Sequence, residues 1–289
     1  MSQVSTMNTE VKGIRTSVLT AVSEETAIWW LFRMFVCWEY IGHGAFGVIT
    51  KEGWLPYFNS MGISSEIGWK LMPIVGTLDI FMGLSALFIP MKGYLVYMAV
   101  WGFFTAWLRP LAGESISEVF ERSYNFGVPL AMLMFMNMTA KSHGLFERIT
   151  EVPKLTKEAA QKFVKMFKWI IASYMVGHGA FGVIDNKMGL MKLYDGSGLS
   201  AFFGSTQNAM MGLGLAEVGL GLLVLFWSPA LLLVFIALWK IATEMLFPVA
   251  GAFYGGFEFM ERGCSYAAPF ILLFLQRYVA RTESEEKES

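Results

Sequence analysis

Seven ionisable residues stand inside stretches of sequence that are otherwise almost entirely apolar. They are Glu39, His43, Asp79, His178, Glu217, Lys240 and Glu244. An ionisable group at bilayer depth costs about 3 kcal/mol and usually marks a place that binds a ligand, carries protons or pairs charges. Four carboxylates and one lysine would leave excess negative charge inside the membrane. Some carboxylates must therefore be protonated, or a bound cation, a charged histidine or a water-filled cavity must compensate the charge. The sequence therefore predicts an intramembrane polar site built from these seven residues.

The two histidines of this set share one motif, Gly-His-Gly, at His43 and at His178. Flanking glycines allow a neighbouring helix or a flat cofactor to approach the backbone closely. Three interpretations stay open: each histidine hydrogen-bonds to a neighbouring helix, handles protons or contacts a quinone, or both histidines ligate one haem b axially. A metal site of His43, Glu39 and Asp79 is a further alternative, but the E-x-x-x-H spacing is a weak signal and we predict no metal.

Two Glu-Arg pairs stand just outside the apolar stretches, at Glu121-Arg122 and Glu261-Arg262. A glutamate near the start of a helix interacts favourably with the helix dipole. An arginine can hold a loop carbonyl or a lipid phosphate. We therefore expect these outer loop pairs to be structural first, with ligand contact as the alternative.

The composition predicts the class of protein that positions these residues. Of 289 residues, 55% are hydrophobic and only 16% are charged, with a mean hydropathy of +0.50. A soluble domain carries about 25% charged residues, so this chain is expected to be an integral membrane protein. The net charge of −1 gives no reason to expect nucleic acid as a partner, and two cysteines are too few to suggest a disulfide scaffold.

Eight apolar stretches are long enough to be membrane-spanning helices, since about 20 residues cross the hydrocarbon core. They cover 28–50, 69–90, 93–109, 124–140, 166–185, 208–227, 229–249 and 264–280. Six or seven spans stay open if 93–109 or 229–249 is re-entrant. Lys and Arg concentrate on the side of both termini and the central linker. The positive-inside rule therefore predicts that these segments are cytoplasmic, in the cell inner (plasma) membrane.

The chain repeats itself. The octapeptide at 42–49 recurs unchanged at 177–184, and three further blocks align in the same order. We therefore expect an all-α fold of two parallel four-helix repeats. The predicted divisions are an N-terminal segment 1–27, repeats 28–140 and 166–280, a linker 141–165 and a disordered tail 281–289. The basic linker is expected either to lie as an amphipathic helix on an anionic leaflet or to be a solvated connector.

The repeats differ at the polar positions of their helices. Lys240 and Glu244 share a helix face at i, i+4, as do Glu39 and His43. Neither pair has an equivalent in the other repeat. The positions aligned with Lys240 and Glu244 are Gly102 and Ala106, and Tyr174 aligns with Glu39. The polar site is therefore expected to be asymmetric.

The chain resembles the DoxX-like family of four-helix membrane proteins. The resemblance is carried by Arg33, His43-Gly44, and Gly76 with Asp79 in the first repeat, and by Glu217 in the Gly-rich segment EVGLGLL of the second. It covers about 28–140 and 166–280, as a tandem duplicate. It implies a four-helix bundle per repeat and, for some relatives, membership of membrane oxidoreductase systems that pass electrons to quinone. Asp79 stands where the family has glutamate.

Three functions follow as hypotheses from this sequence. The first is a redox-linked membrane protein whose outward-facing polar site binds a quinone or another lipophilic cofactor, with membrane lipid and a membrane redox protein as partners. The second is a small-solute or proton transporter or channel at the repeat interface. The third is a non-catalytic scaffold or lipid-binding partner. Whether the protein is an enzyme stays open.

Overall fold

The computed structural model describes residues 22–251 and 254–288, and this part of the chain is helical without any strand. The helices of the first half are α1 (Glu24–Val48), α2 (Leu55–Ser60), α3 (Ser65–Phe88), α4 (Lys92–Leu111), α5 (Ser117–Glu121) and α6 (Ser123–Met136). Those of the second half are α7 (Lys157–Val183), α8 (Met188–Gly196), α9 (Leu199–Phe203), α10 (Thr206–Phe226), α11 (Ala230–Glu244), α12 (Leu246–Val249), α13 (Gly255–Glu261) and α14 (Gly263–Glu288). The predicted all-α fold is confirmed.

The long helices begin where the sequence supplies capping side chains. Hydroxyl oxygens of Ser23, Ser64, Thr156 and Ser205 accept hydrogen bonds from backbone N–H groups at the start of α1, α3, α7 and α10. Such caps satisfy donors that a helix leaves unpaired in its first turn. The eight apolar stretches all fall on helices, but 124–140 gives a helix of only 14 residues and 229–249 is divided between α11 and α12.

A subset of the helices meets the length and composition expected of a membrane span. These are Ser65–Phe88, Thr206–Phe226 and Ala230–Val249. A fourth span is added if α7 and α8, which meet at a bend of 82°, are counted as one broken span. These apolar helices indicate a membrane protein.

Close backbone contact joins α1 to α3 and α7 to α10. A Cβ atom on Gly44 would lie 2.5 Å from the carbonyl oxygen of Gly76, and one on Gly179 would lie 2.5 Å from that of Gly214. No real Cβ fits at such distances, so only glycine permits these helices to touch through their backbones. The glycines that follow the two histidines therefore serve helix packing.

The two halves interlock through the glycines that precede the histidines. A Cβ atom on Gly42 would lie 2.4 Å from the backbone nitrogen of Glu261, and one on Gly177 would lie 2.2 Å from that of Glu121. Helix α1 of the first half thus packs on α13 of the second, and α7 packs on α5 in the same way. The reciprocal contacts make one body of the two halves.

One end of the bundle is filled by apolar side chains. We call it the linker end, because the start of α1, the end of α14 and the segment between α6 and α7 meet there. At its centre Phe32 contacts Phe135 and Phe167, with ring centroids 5.7 and 6.0 Å apart. Trp29 and Leu275 are also buried within this cluster. We call the opposite end, where α2, α5, α8 and α13 lie, the cavity end.

The linker 141–165 is neither an amphipathic helix on the leaflet nor a solvated connector, the two structures expected for it. Helix α7 begins at Lys157, so 157–165 belongs to a long helix, while 137–156 contains no helix. Ile149 and Leu155 are buried in the apolar cluster, and Ile149 donates a backbone hydrogen bond to Pro90. Two apolar anchors therefore hold the linker against the bundle, which neither a free connector nor a helix on the leaflet would require.

The C-terminal tail corrects another expectation. Its composition predicts disorder over 281–289, but α14 continues to Glu288. Lys157 and Glu286 form an ion pair at 2.5 Å, and Arg281 reaches Glu24 at 3.2 Å. These partners are distant in sequence, so the tail's own composition does not reveal them. Of the predicted N-terminal segment 1–27, residues 1–21 lie outside the described part.

The linker contains a histidine whose protonation we expect to order it. His143 lies 3.0 Å from Glu147 and 3.1 Å from Glu151, and its hydrogen bonds to Glu151 and then Glu147 raise its pKa above 6.5. A raised pKa stabilises the folded linker fully below pH 6.5, and the contribution is lost as pH rises through the folded value. Amide hydrogen exchange over 139–152, corrected for intrinsic rates, should therefore accelerate between pH 5.5 and 8.5. His143→Gln should remove that dependence; an unchanged profile in the variant would contradict the assignment.

Candidate functional site

The second half carries a fully bonded histidine–carboxylate–tryptophan cluster. His178 Nδ1 lies 2.5 Å from Glu217 Oε2, and Trp239 Nε1 donates to Glu217 Oε1 at 2.9 Å. Glu217 is buried on α10, and both of its oxygens have partners. A buried carboxylate satisfied in this way holds the imidazole in one orientation.

A second acid, Glu244, extends this cluster towards the cavity end. Its Oε1 lies 2.6 Å from Lys240 Nζ and 3.8 Å from His178 Nε2, while its Oε2 lies 3.0 Å from Arg262 Nε. Lys240 and Glu244 are both buried, and their predicted i, i+4 pair is formed. Glu244 thus pairs with two cations, Lys240 and Arg262, and the three side chains form a buried charge network.

The first half holds an equivalent cluster with unused polar atoms. His43 Nδ1 lies 3.3 Å from Asp79 Oδ2, and the imidazole ring lies against Trp54 with centroids 4.8 Å apart. Within the described residues, Trp101 Nε1 and both Asp79 oxygens have no hydrogen-bond partner. His43 thus pairs with Asp79 on α3 rather than with Glu39 on its own helix.

Glu39 makes its hydrogen bond away from both histidines, although it lines a small cavity of about 10 Å³ together with His43 and Asp79. Its Oε2 accepts a hydrogen bond at 3.2 Å from the backbone N–H of Cys264, at the start of α14. Its Oε1 has no partner in the described part of the chain. This carboxyl links α1 to α14 near the helix dipole's positive end.

The outer loop pairs meet each other between the halves. Arg262 Nη1 lies 2.9 Å from Glu258 and 3.2 Å from Glu261. Arg122 lies farther from its acids, at 3.7, 3.8 and 4.0 Å from Glu118, Glu121 and Glu261. All four predicted residues therefore contribute to one charged layer. On the connecting helix α5, burial opposes ionisation of Glu121, but Arg122 and then Arg262 outweigh it and lower its pKa to about 2.

Two lysines that the sequence analysis missed tie the halves together reciprocally. Lys51 Nζ lies 2.6 Å from Glu258 of the second half, and Lys187 of the second half pairs with Glu118 of the first. Each follows a non-glycine residue with positive φ, Thr50 and Asn186. The available signal was their similar distance after the repeated octapeptide, two residues for Lys51 and three for Lys187, which places both at one end of the bundle.

The charged layer surrounds a central cavity of about 290 Å³ lined by both halves. A smaller cavity of about 60 Å³ lies in the first half. His178 lines the central cavity and His43 the first-half cavity, and the two cavities share Arg109, Arg122 and two aromatic residues of the α2 region, Trp54 and Tyr57.

The placement of His43 and His178 at different cavities bears on the haem and metal alternatives. Two rings that line different cavities and each engage a carboxylate disfavour axial ligation of one haem b by both. Across residues 22–251 and 254–288, no group of three or more His, Cys, Asp or Glu side chains is arranged to hold a metal ion. The alternative of His43, Glu39 and Asp79 as a metal site therefore has no support in the geometry.

Comparisons with known proteins leave this geometry as the main guide to function. No protein-family model matches the chain, and no curated protein or solved structure matches it either. The resemblance to DoxX-like proteins therefore rests on the residues of the sequence alone.

Proposed function

We propose that the chain is a multi-pass membrane protein of eight spans, a tandem duplicate of a DoxX-like unit, with termini and linker in the cytoplasm of the cell inner membrane. Matching contacts in the two halves support the duplication. Lys51 Nζ lies 3.8 Å from the ring centroid of Phe46, and Lys187 Nζ lies 3.8 Å from that of Phe181. The cavity end is then the outward-facing end.

Its function, in this proposal, is redox-linked: the central cavity binds a quinone or another flat lipophilic cofactor. The observation that carries it is His178, held by Glu217, on the wall of a 290 Å³ cavity. A quinone accepts hydrogen bonds at its carbonyls and takes up two protons with two electrons on reduction. An imidazole held by a carboxylate supplies, when both of its nitrogens are protonated, a donor and one of these protons at that position. The electrons come from a membrane redox partner.

The walls of the cavity suit a flat ring with polar edges. Trp54, Tyr57, Phe181 and Phe247 contribute aromatic surface, and Arg122 contributes a cation. Aromatic side chains stack on planar ligands, while a guanidinium binds carbonyl or anionic oxygens.

The linker end favours binding over transport. Apolar side chains of eight helices pack together there, between the polar clusters and the linker. Phe32, Phe135 and Phe167 lie at the centre of that packing, with rings in contact. A transported ion or polar solute would need these groups to separate, whereas a ligand entering from the cavity end would not.

Titration of the purified protein in nanodiscs with a short-chain benzoquinone analogue tests this proposal. We expect saturable quenching of tryptophan fluorescence, since Trp54 lies on the cavity wall. His178→Gln removes the charge-capable donor and should weaken binding about 10-fold. Lys70→Gln, on the exposed face of α3, is the matched control and should bind as the wild type does.

A second measurement bears on the same proposal without any added ligand. Organic extraction of protein purified from membranes in mild detergent should recover a co-purified quinone or related lipophilic compound. Absence of both a bound compound and saturable quenching, in protein shown to be folded, would overturn the cofactor function.

A further inference from the structure

The two halves differ at the position of Glu244, and α4, the helix that carries the corresponding residue of the first half, lines the first-half cavity. In the second half Glu244 supplies the carboxylate that Arg262 Nε meets at 3.0 Å. The aligned residue of the first half is Ala106, which is buried and brings no polar group. The arginine aligned with Arg262 is Arg122, which lines the first-half cavity.

Arg122 is a buried cation without the close ion pair that its counterpart makes with Glu244. Its side chain is 7% exposed, its Nε has no hydrogen-bond partner in the described part of the chain, and its three acids lie 3.7–4.0 Å away. A buried guanidinium normally forms short, charge-assisted hydrogen bonds. Arg122 therefore brings an unmet donor to the wall of the cavity.

A second unmet donor lies at the same cavity. Trp101 Nε1 has no hydrogen-bond partner among the described residues, and Trp101 lines the first-half cavity. In the second half the matching tryptophan, Trp239, is bonded to Glu217. Buried donors without partners are rare in proteins, so two of them at one cavity call for a ligand that accepts hydrogen bonds.

We infer that the first-half cavity binds a small carboxylate, which takes the place that the Glu244 carboxylate occupies in the second half. Arg122 forms an ion pair with the bound carboxylate, as Arg262 does with Glu244. Arg109, where the second half has Phe247, lines the cavity as a second cation, and its Nη1 also lies 3.2 Å from Glu114 and 3.4 Å from Glu118. In the second half, the side chain of Glu244 thus occupies the position that the ligand takes in the first half.

The cavity limits the body of the acid. A volume of about 60 Å³ holds about four to six water molecules, which matches a short-chain acid. Phe58, Met61, Val75 and Leu108 form an apolar part of its wall, which suits an acid with an apolar body. A longer chain would pass Trp54 and Tyr57 into the central cavity. The inference does not depend on what that cavity binds.

Calorimetric titration of the full chain in nanodiscs tests this, with acetate and butyrate as probes and acetamide and butyramide as neutral counterparts. We expect the carboxylates to bind saturably at constant ionic strength and the amides not to bind. Arg122→Gln should weaken binding about 10- to 100-fold, the range set by a charge-assisted hydrogen bond. Lys70→Gln should leave it unchanged.

Ala106→Glu provides the sharper variant, because it introduces the carboxylate that the second half already has. We expect it to abolish acetate binding and to raise the thermal midpoint. If Arg122→Gln does not fold, Ala106→Glu and Arg122→Lys decide the matter. Absence of carboxylate binding by folded wild type, or binding unaffected in the variants that fold, would overturn the inference. Quenching by the quinone analogue reports on the central cavity, whereas carboxylate binding reports on the first-half cavity. Each proposal can therefore fail while the other holds.

Discussion

Gly177→Val is expected to disrupt the interface between the two halves and to lower the free energy of unfolding by at least about 3 kcal/mol. A Cβ atom at Gly177 would lie 2.2 Å from the backbone nitrogen of Glu121 and 2.7 Å from the carbonyl carbon of Phe120. Backbone atoms cannot rotate away as a flexible side chain can. Relief therefore requires α7 and α5 to separate, which also pulls apart Lys187 and Glu118.

The matched control is Gly219→Ala on α10, where an added Cβ meets nothing within 4 Å. Alanine has a better helix propensity than glycine, so this variant should be neutral or more stable by up to about 1 kcal/mol. Denaturant titration in bicelles, followed by circular dichroism, measures both. Equal stability of Gly177→Val and the wild type would contradict the interlocked arrangement of the halves.

The long helices could be predicted because each corresponds to an apolar stretch of the sequence. The stretch 69–90 predicts a helix that the structure places at Ser65–Phe88, and the difference of four residues at the start comes from the cap at Ser64. The close glycine contacts were also foreseeable from the repeated octapeptide, since small residues at helix interfaces permit backbone approach.

The partners within the site were harder to predict, because they depend on how helices pack. The i, i+4 spacing places Glu39 and His43 on one face, yet Asp79 pairs with His43, because the contact of Gly44 with Gly76 brings α3 against α1. Spacing along one helix carries no information about the neighbouring helix.

The reciprocal pairs of Lys51 and Lys187 escaped prediction for a related reason. Both stand in loop sequence, where charges are usually solvated. Their partners, Glu258 and Glu118, lie in the opposite half, about 207 and 69 residues away. Only the interlocking of the halves brings them together, and no local pattern encodes it.

Glu244→Ala is expected to be the most destabilising change at the buried charge network, at about 3–5 kcal/mol. Glu244 is the shared partner of Lys240 and of Arg262, at 2.6 and 3.0 Å. Its removal leaves Lys240 buried without its ion-pair partner, with Glu217 as a more distant acid, whereas Arg262 retains Glu258 and Glu261. Lys240→Met should cost less, because Glu244 keeps its bond to Arg262.

The double variant Lys240→Met/Glu244→Ala tests whether Lys240 and Glu244 stabilise the protein as a pair. Without Glu244, the remaining cost is mainly that of Lys240 in an apolar place, so methionine there should recover part of the loss. We expect the order of stability to be wild type, Lys240→Met, the double variant, then Glu244→Ala. Additive losses in the double variant would show that Lys240 and Glu244 do not act as a pair.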